Sequence, residues 1–329
     1  ENTELSSITL PNNVTQIATS AFKDCDNLTS VTLPNSLESI GTNLFPNLTG
    51  SLNIPTSVTS IGTLPIGLDT IIFDSQCKLT SIPSGFGTGL TDLSSVILAS
   101  DGSLNTIESN AFKLSNTIDG DNYVTELSGV SGFSINIPNS VNTFEEAAFR
   151  YAHVTSITFD SSSSLTVLPK DAFLQSKITE IAIPEGVTEI GENSFDRIVP
   201  TTTPTFTLPS TLQLIGQAAF KKASRSYPFS ISIPESVTRI VSTNDNGIFA
   251  ESGLESITFE GTSQIMAFEN QTFFKSKLTS INVPKSVKSI GAYTFQETPL
   301  STITFEKDTS LNTIQSVSYT HLTLPTTKN

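Results

Sequence analysis

The chain repeats itself about every 23 residues, and no other property of the sequence constrains its fold as much. Leu5-Ser-Ser-Ile8-Thr-Leu10-Pro11 returns as Leu28-Thr-Ser-Val31-Thr-Leu33-Pro34. It returns again as Ile178-Thr-Glu-Ile181-Ala-Ile183-Pro184 and Leu278-Thr-Ser-Ile281-Asn-Val283-Pro284. Elsewhere an acid replaces the proline, as in Val154-Thr-Ser-Ile157-Thr-Phe159-Asp160, Leu254-Glu-Ser-Ile257-Thr-Phe259-Glu260 and Leu300-Ser-Thr-Ile303-Thr-Phe305-Glu306. A second half follows, seen in Val14-Thr-Gln-Ile17, Leu37-Glu-Ser-Ile40-Gly41, Val187-Thr-Glu-Ile190-Gly191 and Val287-Lys-Ser-Ile290-Gly291. A phenylalanine closes the unit, usually after alanine, as at Phe22, Phe112, Phe149, Phe173 and Phe220.

The alternation in Ile8-Thr9-Leu10 predicts a strand with Ile8 and Leu10 inward and Thr9 outward. So short a strand needs the same segment of the next coil beside it, which predicts a long parallel sheet. Proline ends the strand because it has no N–H for the ladder. The Val-x-x-Ile-Gly half supplies a second inward face. Gly41, Gly62, Gly191, Gly216 and Gly291 are expected to turn the chain at positive φ. Stacked phenylalanines are expected to form a spine, with the preceding alanine leaving room. Each coil then buries about six apolar side chains, at roughly 1.5–3 kcal/mol each before conformational entropy is subtracted. That suffices only when coils share interfaces, so the expected fold is a repeat solenoid.

Composition agrees with a repeated template. Hydrophobic residues make up 36% and charged residues 15%, with no Trp and 21 Phe. Ser, Thr and Asn fill the difference from an ordinary globular domain. The net charge of −14, from 17 basic and 31 acidic residues, argues against nucleic acid and against docking on anionic lipid. There is no basic run, and the acidity reads as a solubility device. Cys25 and Cys77 fall about two coils apart, which predicts no disulfide. No hydrophobic run approaches the roughly 18 residues of a membrane span. The sequence starts at Glu1 with neither Met nor a signal peptide, and reads as a mature or excised fragment.

The pattern L-x-x-I-x-L-P-x-x-V-x-x-I-G-x-x-A-F resembles the BspA-like leucine-rich-repeat surface protein family, over about residues 3–315. The resemblance implies a curved leucine-rich-repeat solenoid, mostly β, with short parallel strands and turns or short helical segments. At this period the chain holds about 13 coils of roughly 23 residues, over 1–315. The resemblance also implies an extracellular or cell-surface location, on bacteria or certain parasitic protists, and adhesion to host or matrix proteins or to other cells. It implies no cofactor. Cys25 sits where many repeats of the family carry a cysteine, which most coils here lack.

The period fails in three places. Residues 115–131, containing Asp119-Gly-Asp121-Asn122-Tyr123, form a long insertion, and 199–205 and 241–247 form shorter ones. Insertions in solenoids map to loops on one face, often the binding face. Residues 316–329 make an irregular tail in which Leu322-Thr-Leu324-Pro325 imitates a strand. The string resembles translated sequencing-adapter read-through, which predicts that it is non-native and that the natural chain continues beyond Ile314.

Catalytic chemistry is poorly supplied. His153, between Ala152 and Val154, is expected at the surface or a coil edge, and His321 lies in the tail. No phosphate loop, metal-spaced Cys/His set or nucleophile elbow is present. Glu145-Glu146 reads as a solvated turn rather than a glycosidase pair. Asp119, Asp121 and Asn122 offer oxygens for calcium, but the rest of an EF-hand pattern is missing.

The outward strand positions are the candidate binding surface: Thr9, Thr32, Asn53, Asn136, Thr158, Thr207, Ser232, Thr258, Asn282 and Thr304, with Asp119, Asp121, Asn122 and Tyr123 in the long loop. Threonine also suits strands for packing alone. The expectation is a monomeric, non-catalytic module binding an extracellular protein or glycan. Two other readings are a spacer solenoid that projects another domain and a carbohydrate-active β-helix enzyme.

Overall fold

The computed structural model describes residues 4–64, 67–114, 132–242 and 246–316. Within them 26 strands alternate between a long one of three to six residues and a short one of two. That makes 13 strand pairs, or about twelve steps of a solenoid. Long strands pair in parallel with the long strands of the coils before and after, and short strands do the same. Register is coil on coil, with Ile8 opposite Val31, Ile157 opposite Ile181 and Ile40 opposite Ile61.

The residue that ends a strand sets its length. Where a proline coil meets a second proline coil the ladder is three residues long, as in Ser7–Thr9 with Ser30–Thr32 and Glu180–Ala182 with Thr205–Thr207. Where an acid coil follows a proline coil, the acid has an N–H and makes one more bond. Asp160 N donates to Ile137 O (3.0 Å), Glu260 N to Ile233 O (2.9 Å) and Glu306 N to Val283 O (3.0 Å). That adds one rung, as in Ser280–Val283 with Thr302–Phe305. Phe133–Ile137 with Val154–Phe159, and Phe229–Ile233 with Leu254–Phe259, are longer still because Phe133 pairs with Val154 and Phe229 with Leu254 across a register shift at the strand start.

Of the turns or short helical segments expected, turns form, and there is no helix among the described residues. A third column of stacked turns takes their place. Around Phe149, Phe173, Phe195, Phe220, Phe273 and Phe295 the residues two before and two after are left-handed, as at Asp171 (φ 57°) and Gln175 (56°) around Phe173, and Asn193 (54°) and Arg197 (55°) around Phe195. This alternation aims every second N–H at the next coil. Asp171 N donates to Glu192 O (2.9 Å), Phe173 N to Ser194 O (2.8 Å) and Gln175 N to Asp196 O (2.9 Å). The amides between them bond locally, Leu174 N to Asp171 O. A helix would turn all of these groups back on their own coil and leave the stack unlinked.

The glycines are a second correction. Gly41, Gly62, Gly191, Gly216 and Gly291 do not have positive φ; the left-handed residue falls two places later, at Asn43, Asn193, Ala218 and Tyr293. Glycine is needed for close approach instead. A Cβ on Gly191 would lie 2.7 Å from Lys170 N, and one on Gly41 would lie 2.5 Å from Thr19 N.

The spine forms as expected. Phe112, Phe149, Phe173, Phe195, Phe220, Phe249, Phe273 and Phe295 stack with centroids 4.9–5.8 Å apart and planes within 20°. One contiguous apolar cluster runs from Leu10 to Leu300.

Candidate functional site

Alternation along each long strand places the candidate column on the outer face of the long-strand sheet. Thr9, Thr32, Asn53, Asn136, Thr158, Thr207, Thr258, Asn282 and Thr304 are exposed there, and Ser232 is half-buried. Register sets Thr9 opposite Thr32, Asn136 opposite Thr158, Ser232 opposite Thr258 and Asn282 opposite Thr304. Hydrogen bonds link three of these pairs. Thr158 Oγ1 donates to Asn136 Oδ1 (2.8 Å), Thr304 Oγ1 to Asn282 Oδ1 (2.9 Å), and Thr258 Oγ1 to Ser232 Oγ (3.1 Å). Asn136 in turn donates to Asp160 Oδ1 (2.8 Å), and Ser232 to Glu260 Oε1 (2.8 Å).

The column is not polar throughout. Ile72 stands between Asn53 and Ile97, and Ala182 lies opposite Thr207. Ile97 is 49% exposed. Polarity as a guide passes over these three places, while the repeat alone marks them. Asp119, Asp121, Asn122 and Tyr123 lie outside the described residues. Of the shorter insertions, 199–205 falls between a turn and the strand Thr205–Thr207, whereas 241–247 follows the short strand Arg239–Ile240. Residues 243–245 lie outside the described residues.

Much of the acidity has a structural use. Carboxylates accept backbone N–H groups across coils: Glu145 from Ser109 (2.9 Å), Glu185 from Ser210 (3.0 Å), Glu269 from Ser242 (2.6 Å) and Glu306 from Lys285 (3.0 Å). The bonds from Ser210 hold the Glu185 carboxyl below the usual carboxylate range. Glu145 is thus an inter-coil clip in an exposed turn. Cys25 and Cys77 are both free thiols, and burial pushes the Cys77 thiol up. Among the described residues no three His, Cys, Asp or Glu side chains gather to hold a metal, and no helix is long and apolar enough to cross a membrane.

His153 is not at the surface. It is 2% exposed, and neither ring nitrogen has a hydrogen-bond partner among the described residues. Burial, with Lys177 nearby, lowers its pKa to about 4, so the ring is neutral at pH 7. The apolar neighbours Ala152 and Val154 were the available signal for this burial.

The structure also gathers charge that the linear sequence scatters. Ten of the 17 basic residues fall one to five places after a coil's closing phenylalanine, on the turn column or on the link from it to the next long strand. Between the turns of Phe149 and Phe273 these are Arg150, Lys177, Arg197, Lys221, Lys222, Arg225, Lys275 and Lys277. Lys177 is 6% exposed. The same turns also hold Lys170 and five carboxylates, Glu146, Asp171, Glu192, Asp196 and Glu251, with Lys170 paired to Glu192. Ion pairs cross coils from Arg225 and Lys222 to Glu251 and from Arg150 to Asp171, and Lys277 Nζ donates to Arg225 O (2.6 Å). Asp196 is 7% exposed. Burial raises its carboxyl to about 7 despite the opposing pull of Arg197, Lys221 and Lys222. No linear motif marks this band; its signal is the recurrence of single cations at one point of the repeat.

Residues 1–119, 127–242 and 200–324 match the BspA type leucine rich repeat region, in six copies, and the chain belongs to that family. A leucine-rich repeat protein from Bacteroides ovatus has a similar fold, with a TM-score of 0.52 and 19% identity over 94% of this chain and 82% of that one. A leucine rich cell surface protein from Faecalibacterium prausnitzii aligns with a TM-score of 0.42 and 21% identity, over 93% and 88%. The pneumococcal vaccine antigen PcpA aligns with a TM-score of 0.37 and 16% identity, over 94% and 77%. Among curated proteins none matches. The family and the Bacteroides ovatus structure are leucine-rich repeat proteins.

Proposed function

We propose that the chain is a non-catalytic binding module, displayed on a cell surface or secreted, that adheres to extracellular proteins, glycans or other cells through its solenoid face. The supporting observation is the outward column of the long sheet. It presents one small hydrogen-bonding side chain in most coils, and these side chains contribute nothing to the core. Membership of the BspA-type family agrees with surface display. Such a face holds a partner by many weak contacts repeated along an extended ligand, not by a single anchor. It acts as a monomer in this reading.

Binding of the purified chain to immobilised matrix proteins, mucins and neutral glycans tests the proposal, beside a Thr158→Lys/Thr258→Lys variant and a variant lacking 116–130. Saturable binding lost in the double variant supports the sheet face. Loss only on deletion moves the site to the loop. No binding by a folded protein favours a spacer solenoid, a reading supported by the absence of Trp, Tyr and Arg from the column.

A further inference from the structure

We infer a second binding surface on the turn column, a cationic band that takes a linear sulfated or carboxylated polysaccharide. The chain as a whole carries a charge of −14, yet the turns from Phe149 to Phe273 and the links that follow them hold eight accessible basic residues, Lys170 among them, against five carboxylates, with Lys177 buried. Coils stack about 4.8 Å apart, so the band from Arg150 to Lys277 runs five steps, about 24 Å, along the solenoid axis. That shape matches a chain of anions more closely than one compact anion.

The cations sit among ordered neighbours. Arg225 is tied to Glu251, Lys277 reaches back across two coils to the Arg225 carbonyl, and Arg150 lies over the Tyr151 ring at 4.8 Å. A band fixed in this way loses little side-chain freedom on binding. Its arginines present planar forks that match sulfate and carboxylate oxygens. Two tyrosines flank the charges with open rings: Tyr227, two residues after Arg225 and 38% exposed, and Tyr293, 40% exposed in the turn beyond Lys275. Their flat apolar faces, with a polar tip, suit sugar rings. This surface is distinct from the sheet face, so the inference goes beyond the adhesion reading and does not depend on it.

The test is binding of the purified chain to dextran sulfate, with uncharged dextran, polyglutamate and single-stranded DNA as comparisons, at low and high salt. Expected is binding to dextran sulfate that weakens steeply with salt, with none to dextran. Lys221→Gln/Lys222→Gln/Arg225→Gln is expected to weaken it about tenfold or more, while Lys285→Gln/Lys288→Gln/Lys307→Gln, an equal charge change off the band, leaves it within about twofold. Arg150→Gln/Lys275→Gln, at the two ends of the band, gives an intermediate loss and stands in if the triple variant does not fold. The inference is overturned by no binding to dextran sulfate, by equal loss in the on-band and off-band variants, or by DNA or polyglutamate binding as tightly. Thr158→Lys/Thr258→Lys leaves dextran sulfate binding no weaker, so failure of the sheet face and failure of the band are read separately.

Discussion

Single atoms decide how closely the coils can stack. Gly191 packs against the Lys170 amide where a methyl group has no room, and the obstacle is backbone that cannot swing aside. Gly191→Ala is therefore expected to cost about 2 kcal/mol or more, read as a lowered urea midpoint; an unchanged midpoint would show that the coils separate freely. Spacing alone could not reveal this use. A glycine at a chain reversal serves either positive φ or close approach, and here the left-handed places went to residues such as Asp171, Gln175 and Arg197.

Two buried titrating groups pull stability in opposite directions. His153 titrates at about 4 in the fold against 6.5 in an open chain. Between those values the unfolded state binds more protons, so its contribution to stability is lost as pH falls. Asp196 titrates at about 7 in the fold against 3.8. Between these values the folded state binds more protons, so its contribution is lost as pH rises. Relative to wild type, Asp196→Asn should lose melting temperature more steeply on going from pH 6.5 to 4.5, and His153→Gln less steeply. Parallel melting curves for all three proteins would contradict both assignments.

At the level of strands and turns, proline and acid are alternatives with different consequences. Asp160→Pro removes the donor to the Ile137 carbonyl and shortens the ladder by one rung. The expected cost is about 1–2 kcal/mol, with faster amide exchange in Phe133–Ile137; exchange unchanged in that strand would argue against the ladder account. The sequence made the strands plain, because apolar alternation, terminal proline and a fixed period all agree. It hid the turn column. The family resemblance left turns and short helical segments both open there, and nothing local marks the switch to alternating handedness. That switch is imposed by the next coil, whose carbonyls wait at the right height. The outward column was legible for its polar members, and Ile72, Ile97 and Ala182 were visible only through register.

Across the whole molecule, stability is a sum of neighbouring interfaces. Phe195 is fully buried and stacked between Phe173 and Phe220. Phe195→Ala is expected to cost about 3–5 kcal/mol and to split thermal unfolding into two steps, with hydrogen exchange fastest in the coils around residue 195. A single cooperative step would mean that coupling reaches far beyond adjacent coils. The basic band belongs to this scale as well. Each of its cations is unremarked in its own repeat, and only stacking joins them.

The turn column carries one more consequence. Around the phenylalanines its bonds between coils run one way, each donor reaching toward the later coil, from Ser20 N to Thr42 O through Phe173 N to Ser194 O to Lys275 N to Gln296 O; only past the turn do amides such as Lys177 N, Val199 N and Ser224 N reach back. Peptide groups aligned head to tail add their dipoles, whereas the dipoles of parallel strands largely cancel in their sheets. The solenoid is thereby polarised along its axis on one side only, with the positive pole toward the later coils.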